Sequence, residues 1–295
     1  MKIRLKPWFF YPLLPLIVLV CAAVLASVIG YGLMQIVDSL NVQKTINKIT
    51  QALLVLSIFP AVVWLGLSKA ELGFANRKQF LRQLAQGFGL GLATLLPIVI
   101  ALFFLNVSVV DVSQAWTWAW LLEKSSIALV LSLLISCVEE PLFRGLLLAA
   151  LARKLPIAAA IIVSSAYYAC LHFIKSPRKQ PATDLSFSDT FALLVDAFAN
   201  LLNPEITTAF FALLMVGIFL ALLRIHFEAS LGLCIGCHTA WVWLIKMNKA
   251  LFNTDFNAAY AFLVSPYDGV VGPLVMVWLL LAVLIYCVWW PLRKR

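Results

Sequence analysis

The sequence predicts an all-α integral membrane protein of about eight transmembrane helices in one bundle, with a buried polar site. Three observations predict it. Of 295 residues, 63% are hydrophobic and 12% charged, and mean hydropathy is +1.00; soluble domains carry roughly 25% charged residues. Apolar runs of about 18 residues or more recur along the whole chain. A few ionisable residues interrupt those runs, where lipid makes each one costly. The net charge of +9 does not require nucleic acid as a partner, because membrane proteins retain Lys and Arg on the cytoplasmic side.

The eight runs lie near residues 8–37, 51–67, 87–110, 127–152, 156–174, 206–223, 229–247 and 271–291. Lys2, Arg4 and Lys6 precede the first. That run outlasts a signal-peptide core of about 7 to 15 residues, which predicts an uncleaved anchor. Val20, before Cys21, is too large for a lipoprotein cleavage site. Placing the N-terminus inside puts more than half of the 22 basic residues on the cytoplasmic side, which predicts both termini cytoplasmic. Residues 74–86 are basic with Phe74, Phe80, Leu81 and Leu84 and are expected along the inner leaflet. Residues 176–204 form a long outer connection holding a short amphipathic helix, with Ser188 as its cap and Asn203-Pro204 as its stop. It reads either as a gap-filling surface helix or as a flap over a site.

The interruptions define the candidate site. The fourth run contains Glu139, Glu140 and Arg144, the fifth His172 and the seventh His238. His226, beside Arg224 and Glu228 at a predicted turn, reads as solvated. At 1.5 Å per residue, Glu140, His172 and His238 lie roughly 20, 24 and 14 Å from the inner ends of their runs. All three depths fall in the middle of a hydrocarbon layer about 30 Å thick. Glu140 and Arg144 share a helix face and pair, while adjacent acids in unlike environments suit general-base chemistry. Pro141 lacks an N–H, frees the Cys137 carbonyl and bends the helix at the glutamates. Tyr168 lies one turn before His172 and flanks it. The alternative is a buried ion-pair network that only holds the bundle together.

With these residues in hand, a family resemblance is visible. EEPLFRG (Glu139–Gly145) resembles the EExxxR motif of the CAAX-protease and bacteriocin-processing (CPBP, or ABI) family. Tyr168-Ala-Cys-Leu-His172 is similar to its second motif, and His238 lies where its third places a histidine. The resemblance implies a catalytic core over 125–248, flanked by lineage-specific helices in 1–124 and by an outer loop and final helix in 249–295. It implies an intramembrane endopeptidase: Glu140 or Glu139 activates water, His172 assists, and His238 binds the oxyanion. Arg144, Tyr168 and Trp241 support. Many members carry Asn four residues after the last histidine, where this chain has Val242. An indole N–H from Trp241 or Trp243 would have to replace that donor.

Three functions compete. A glutamic-type intramembrane peptidase needs no cofactor. A zinc peptidase would use Glu140, His172 and His238 as ligands, although the chain lacks HExxH. A transporter or an inactive scaffold would keep the polar groups for other ends, but no paired halves with broken helices are evident. The expected partners are the bilayer and a membrane-associated peptide or protein substrate. The expected location is a bacterial plasma membrane. Cys234-Ile-Gly-Cys237-His238 matches a c-type haem attachment sequence or a CxxC redox pair. All six cysteines lie in or beside apolar runs, so they read as small buried hydrophobes.

Overall fold

The computed structural model describes residues 7–37, 41–177, 186–227 and 229–293. Lys2, Arg4, Lys6 and Glu228, named above, lie outside them. Ten α-helices occur among the described residues: α1 (Pro7–Met34), α2 (Val42–Leu65), α3 (Arg77–Phe104), α4 (Trp118–Glu140), α5 (Leu148–Ala152), α6 (Ile157–Leu171), α7 (Phe187–Ala199), α8 (Thr207–His226), α9 (Leu231–Leu251) and α10 (Pro273–Arg293). A π-helical segment, Pro141–Leu147, joins α4 to α5. Strands β1 (Ser108–Val110) and β2 (Phe252–Thr254) pair antiparallel, with Val109 opposite Asn253.

Among the described residues, five helical stretches are long and apolar enough to cross a membrane: Tyr11–Met34, Val42–Leu65, Arg77–Phe104, Trp118–Ala152 and Pro204–His226. Helix α6 and the Pro273–Val288 stretch of α10 are apolar but shorter. Helix α9 differs for a physical reason. It carries His238, Lys246, Asn248 and Lys249, yet it is buried all round from Cys234 to Trp241. A helix encased by protein need not be uniformly apolar, and hydropathy alone cannot certify it as a span.

The chain divides into two compact units, each discontinuous in sequence: Met1–Leu67 with Leu146–Pro204, and Ser68–Gly145 with Glu205–Arg295. In the first, α1 packs on α2 and α7. Ala26, Met34, Val42, Ile46 and Leu193 form its core, edged by Tyr31. Helix α7 buries Thr190, Leu193 and Ala197, which makes it a packed element of this unit. Its cap is Ser186 and not Ser188: the Ser186 N–H donates to Asp189 Oδ2 at 2.8 Å, closing a capping box. The helix also stops at Ala199, before Asn203-Pro204, in a 3-10 turn over Asn200–Leu202.

In the second unit α3 begins ten residues earlier than the hydropathy suggests. Asn76 caps it by accepting from the Gln79 N–H at 3.0 Å, so most of 74–86 is the first part of the span helix and not a separate in-plane segment. Its 28 residues extend about 42 Å. The β-branched residues after Phe104 leave the helix and pair as β1. Helices α3 and α9 touch backbone to backbone. A Cβ on Gly87 would lie 2.1 Å from the Leu233 carbonyl oxygen, and one on Gly236 2.1 Å from that of Leu84. Gly91 and Gly232 occupy the matching positions one turn away, giving a small-xxx-small face on each helix. Gly232 meets Phe80, Gly236 meets Leu84, and Trp241 meets Thr94, so the two helices run parallel.

Candidate active site

Helix α4 reaches the site along a face of small residues. Ala128, Ser132, Ser136 and Glu140 recur every fourth residue, and all are buried. The serine hydroxyls bond their own helix, Ser132 Oγ to Ala128 O at 2.6 Å and Ser136 Oγ to Ser132 O at 2.9 Å. Their polarity is thereby satisfied, and they act as small spacers against α9. The α-helix gives way at Pro141, whose missing N–H removes the bond to the Cys137 carbonyl. The continuation is π-helical, a form concentrated at functional sites. The helix type thus changes where the bend is expected.

Four of the sequence-predicted residues meet here. Arg144 Nη1 donates to Glu140 Oε1 at 3.0 Å, and His238 Nδ1 lies 2.8 Å from the same oxygen. An ionised carboxylate only accepts, so Nδ1 carries the proton. The other ring nitrogen, Nε2, faces Glu139 Oε2 at 3.9 Å. The two acids are unlike: the Glu139 side chain is 28% exposed, that of Glu140 0%. One oxygen of each, Glu139 Oε2 and Glu140 Oε2, is buried with no hydrogen-bond partner among the described residues. A buried acceptor left so has an affinity for water or a substrate N–H.

The register of α3 against α9 gives the depth. Gly91 lies level with Cys237, 14 residues along α3 from Arg77, or about 21 Å of the helix's 42 Å. The Glu–Arg–His cluster therefore sits near the midpoint of α3.

His172 and Tyr168 belong to the first unit. Helix α6 ends at Leu171, so His172 is its C-cap and not an interior residue. A helix of 15 residues is about 22 Å long, shorter than the hydrocarbon layer. His172 Nδ1 bonds the Tyr168 carbonyl at 2.8 Å, and the Tyr168 ring meets the imidazole edge-on, centroids 4.6 Å apart.

The indole donors are engaged elsewhere. Trp241 Nε1 donates to Thr94 Oγ1 at 2.8 Å, Trp243 Nε1 to the Ser125 carbonyl at 3.2 Å. In this structure neither takes the place of the Asn expected at Val242. Trp241 instead packs against Phe219 and ties α9 to α3 and α8.

All six cysteines are free thiols. Cys234 and Cys237 are fully buried in α9, Cys234 Sγ bonding the Leu220 carbonyl at 3.4 Å. His238, the third letter of a haem motif, is committed to Glu140. Cys21, Cys137 and Cys287 are exposed and not buried; a thiol is apolar enough to face lipid as readily as a core. His226 is half-buried, bonded to the Leu222 carbonyl and edge-on to Tyr286, so its turn is packed and not solvated. The glycine faces of α3 and α9 and the every-fourth-residue face of α4, which hold the site, are marked in the sequence by spacing and not by a run of charges.

No curated protein and no solved structure matches the chain. Residues 120–244 match the family model described as type II CAAX prenyl endopeptidase Rce1-like. That stretch contains every candidate site residue, and over it the chain is similar to the CAAX-protease and bacteriocin-processing family of membrane proteases.

Proposed function

We propose that the chain is an intramembrane endopeptidase in which Glu139 activates water. The inequality of the two glutamates carries this reading. Glu140 is enclosed and engaged by Arg144 and His238, so it orients rather than reacts. The Glu139 side chain is 28% exposed, and its enclosed Oε2, 3.9 Å from His238 Nε2, makes no hydrogen bond among the described residues. It takes a proton from water as the oxygen attacks the scissile carbonyl carbon, and returns that proton to the departing amine. His238, held through Nδ1–H by Glu140, acts as the imidazolium, protonated on both nitrogens, and donates its Nε2–H to the charge that develops on the carbonyl oxygen. The family pattern assigns His172 to the same water.

The substrates are membrane-associated peptides or proteins, such as leader peptides, small signalling peptides or regulatory membrane proteins. The shorter α6, the encased α9 and α10 complete eight spans in a bacterial plasma membrane, with both termini cytoplasmic.

A zinc mechanism is disfavoured by Arg144. A guanidinium 3.0 Å from Glu140 Oε1 repels a divalent cation at that oxygen. Purified protein is expected to keep its activity in chelator, and loss restored by zinc would reverse the assignment. The central test is proteomic. Membrane and secreted peptides are compared between cells with the wild-type chain and cells with Glu139→Gln. Cleavage products confined to the wild type support a peptidase. Identical peptide sets would leave transport or scaffolding.

A further inference from the structure

We propose that the N-terminal end of α3 is a docking surface for anionic phospholipid headgroups, which sets the depth of the catalytic cluster. The inference rests on the intramembrane reading of the second unit. Arg77, Lys78 and Arg82 are exposed on the first two turns of α3, and that helix has no Asp or Glu anywhere in its 28 residues. Leu81 beside them is 54% exposed, and Phe74, just ahead of the helix, is 37% exposed and stacked on Phe80. Cationic heads interleaved with exposed apolar groups suit the boundary between headgroups and acyl chains. The helix end itself is not the anion site, since the Asn76 side chain already fills its cap.

Length points the same way. A helix of about 42 Å matches a bilayer including its headgroup layers, about 40 to 45 Å. With Arg77 at one headgroup layer, Phe104 reaches the other, where Phe104, Trp116 and Trp118 are exposed. Trp and other aromatic residues gather at such boundaries, and basic residues on the cytoplasmic side. The end carrying the basic residues is also fixed to the site. The Arg224 guanidinium donates to the Glu71 carbonyl at 2.6 Å and the Leu231 N–H to the Gly73 carbonyl at 2.8 Å. The glycine contacts then couple α3 to α9 without intervening side chains. Whatever fixes Arg77 at the headgroups therefore fixes His238 about 21 Å deeper.

The test uses the full chain in a neutral detergent, with thermal unfolding and native mass spectrometry as readouts. Phosphatidylglycerol is expected to raise the midpoint and to remain bound, in both the wild type and Glu139→Gln. Phosphatidylcholine and inorganic phosphate are expected to do neither. The triple variant R77Q/K78Q/R82Q is expected to lose the response, about five-fold in affinity per charge removed, the equivalent of roughly 1 kcal/mol for a basic residue near an anionic surface. The double variant R77K/R82K is expected to keep it. Equal shifts from the two lipids, a phosphate effect matching that of phosphatidylglycerol, or a full response in the triple variant would overturn the proposal. Should the triple variant not fold, the wild type in 1 M salt decides, because the Debye length there is about 3 Å. Loss of the shift supports docking, and its persistence refutes it. Lipid response without any cleavage would sink the peptidase reading alone.

Discussion

Glu139 and Glu140 are neighbours in sequence and opposites in environment, so they give separable predictions. Glu139→Gln is expected to lower cleavage by about 10²–10⁴-fold, the usual contribution of a general base, with stability changed by less than roughly 0.5 kcal/mol. Glu140→Gln is expected to abolish cleavage and also to destabilise the fold by about 3–5 kcal/mol, because it leaves Arg144 buried beside a neutral group. Activity and thermal unfolding measured on both variants check this. Equal stability loss in the two would show that the acids do not differ as assigned. The letters EE name the chemistry, but they cannot say which carboxylate is enclosed. That is decided by the face of α4 on which each falls, and only Glu140 continues the series Ala128, Ser132, Ser136.

At the scale of elements, the α3–α9 contact is the most demanding. Gly236→Ala puts a methyl 2.1 Å from the Leu84 carbonyl oxygen, and backbone cannot give way as a side chain does. A loss of about 1–3 kcal/mol or more is expected, with loss of activity through displacement of His238. Gly89→Ala is the control: it lies on the same helix as Gly87, meets nothing within 4 Å, and is expected to gain roughly 0.5–1 kcal/mol. Thermal unfolding of the two variants distinguishes tight helix contact from a general intolerance of substitution. A second element-scale prediction concerns the turn after β1. Ser113 Oγ at 2.6 Å and Gln114 Nε2 at 2.7 Å donate to the Asp111 carboxylate. These bonds, led by the Ser113 hydroxyl, lower its pKa from 3.8 to about 2. A depressed folded pKa stabilises above the unfolded value and ceases to do so as pH falls through the folded one. The Trp116 indole N–H, which donates to the Asp111 carbonyl at 2.8 Å, is expected to keep its chemical shift through the ordinary carboxylate range and to move only near pH 2. In Asp111→Asn that acid-induced movement should vanish.

For the molecule as a whole, the length of α3 predicts a full crossing. Cysteine placed at Gln79 and at Ser113, with the native cysteines replaced, is expected to react with an impermeant reagent from opposite sides of the membrane. Labelling of both from one side would rule out α3 as a span. Hydropathy marked the long spans well and misplaced their ends. Asn76 began α3 before the apolar run, and β-branched residues ended it early. His172 lies inside an apolar run, yet α6 stops one residue before it. Nothing in linear composition separates the two units, because each is assembled from two distant stretches.

The sequence by itself determined the class of solvent, the cost of Glu139, Glu140, Arg144 and His238 within apolar runs, and the motif that a family model matches over 120–244. Burial cost and residue order are one-dimensional properties, so they are readable without a fold. Tertiary structure decided the rest. It assigned Glu140 to Arg144 and His238 and left Glu139 reachable, and it occupied both candidate indole donors. It also turned CIGCH into a packing surface: Gly236 admits α3, the two thiols are enclosed, and His238 meets an acid 98 residues earlier. Those outcomes depend on which helix faces approach closely, a property of two segments together that neither segment carries alone.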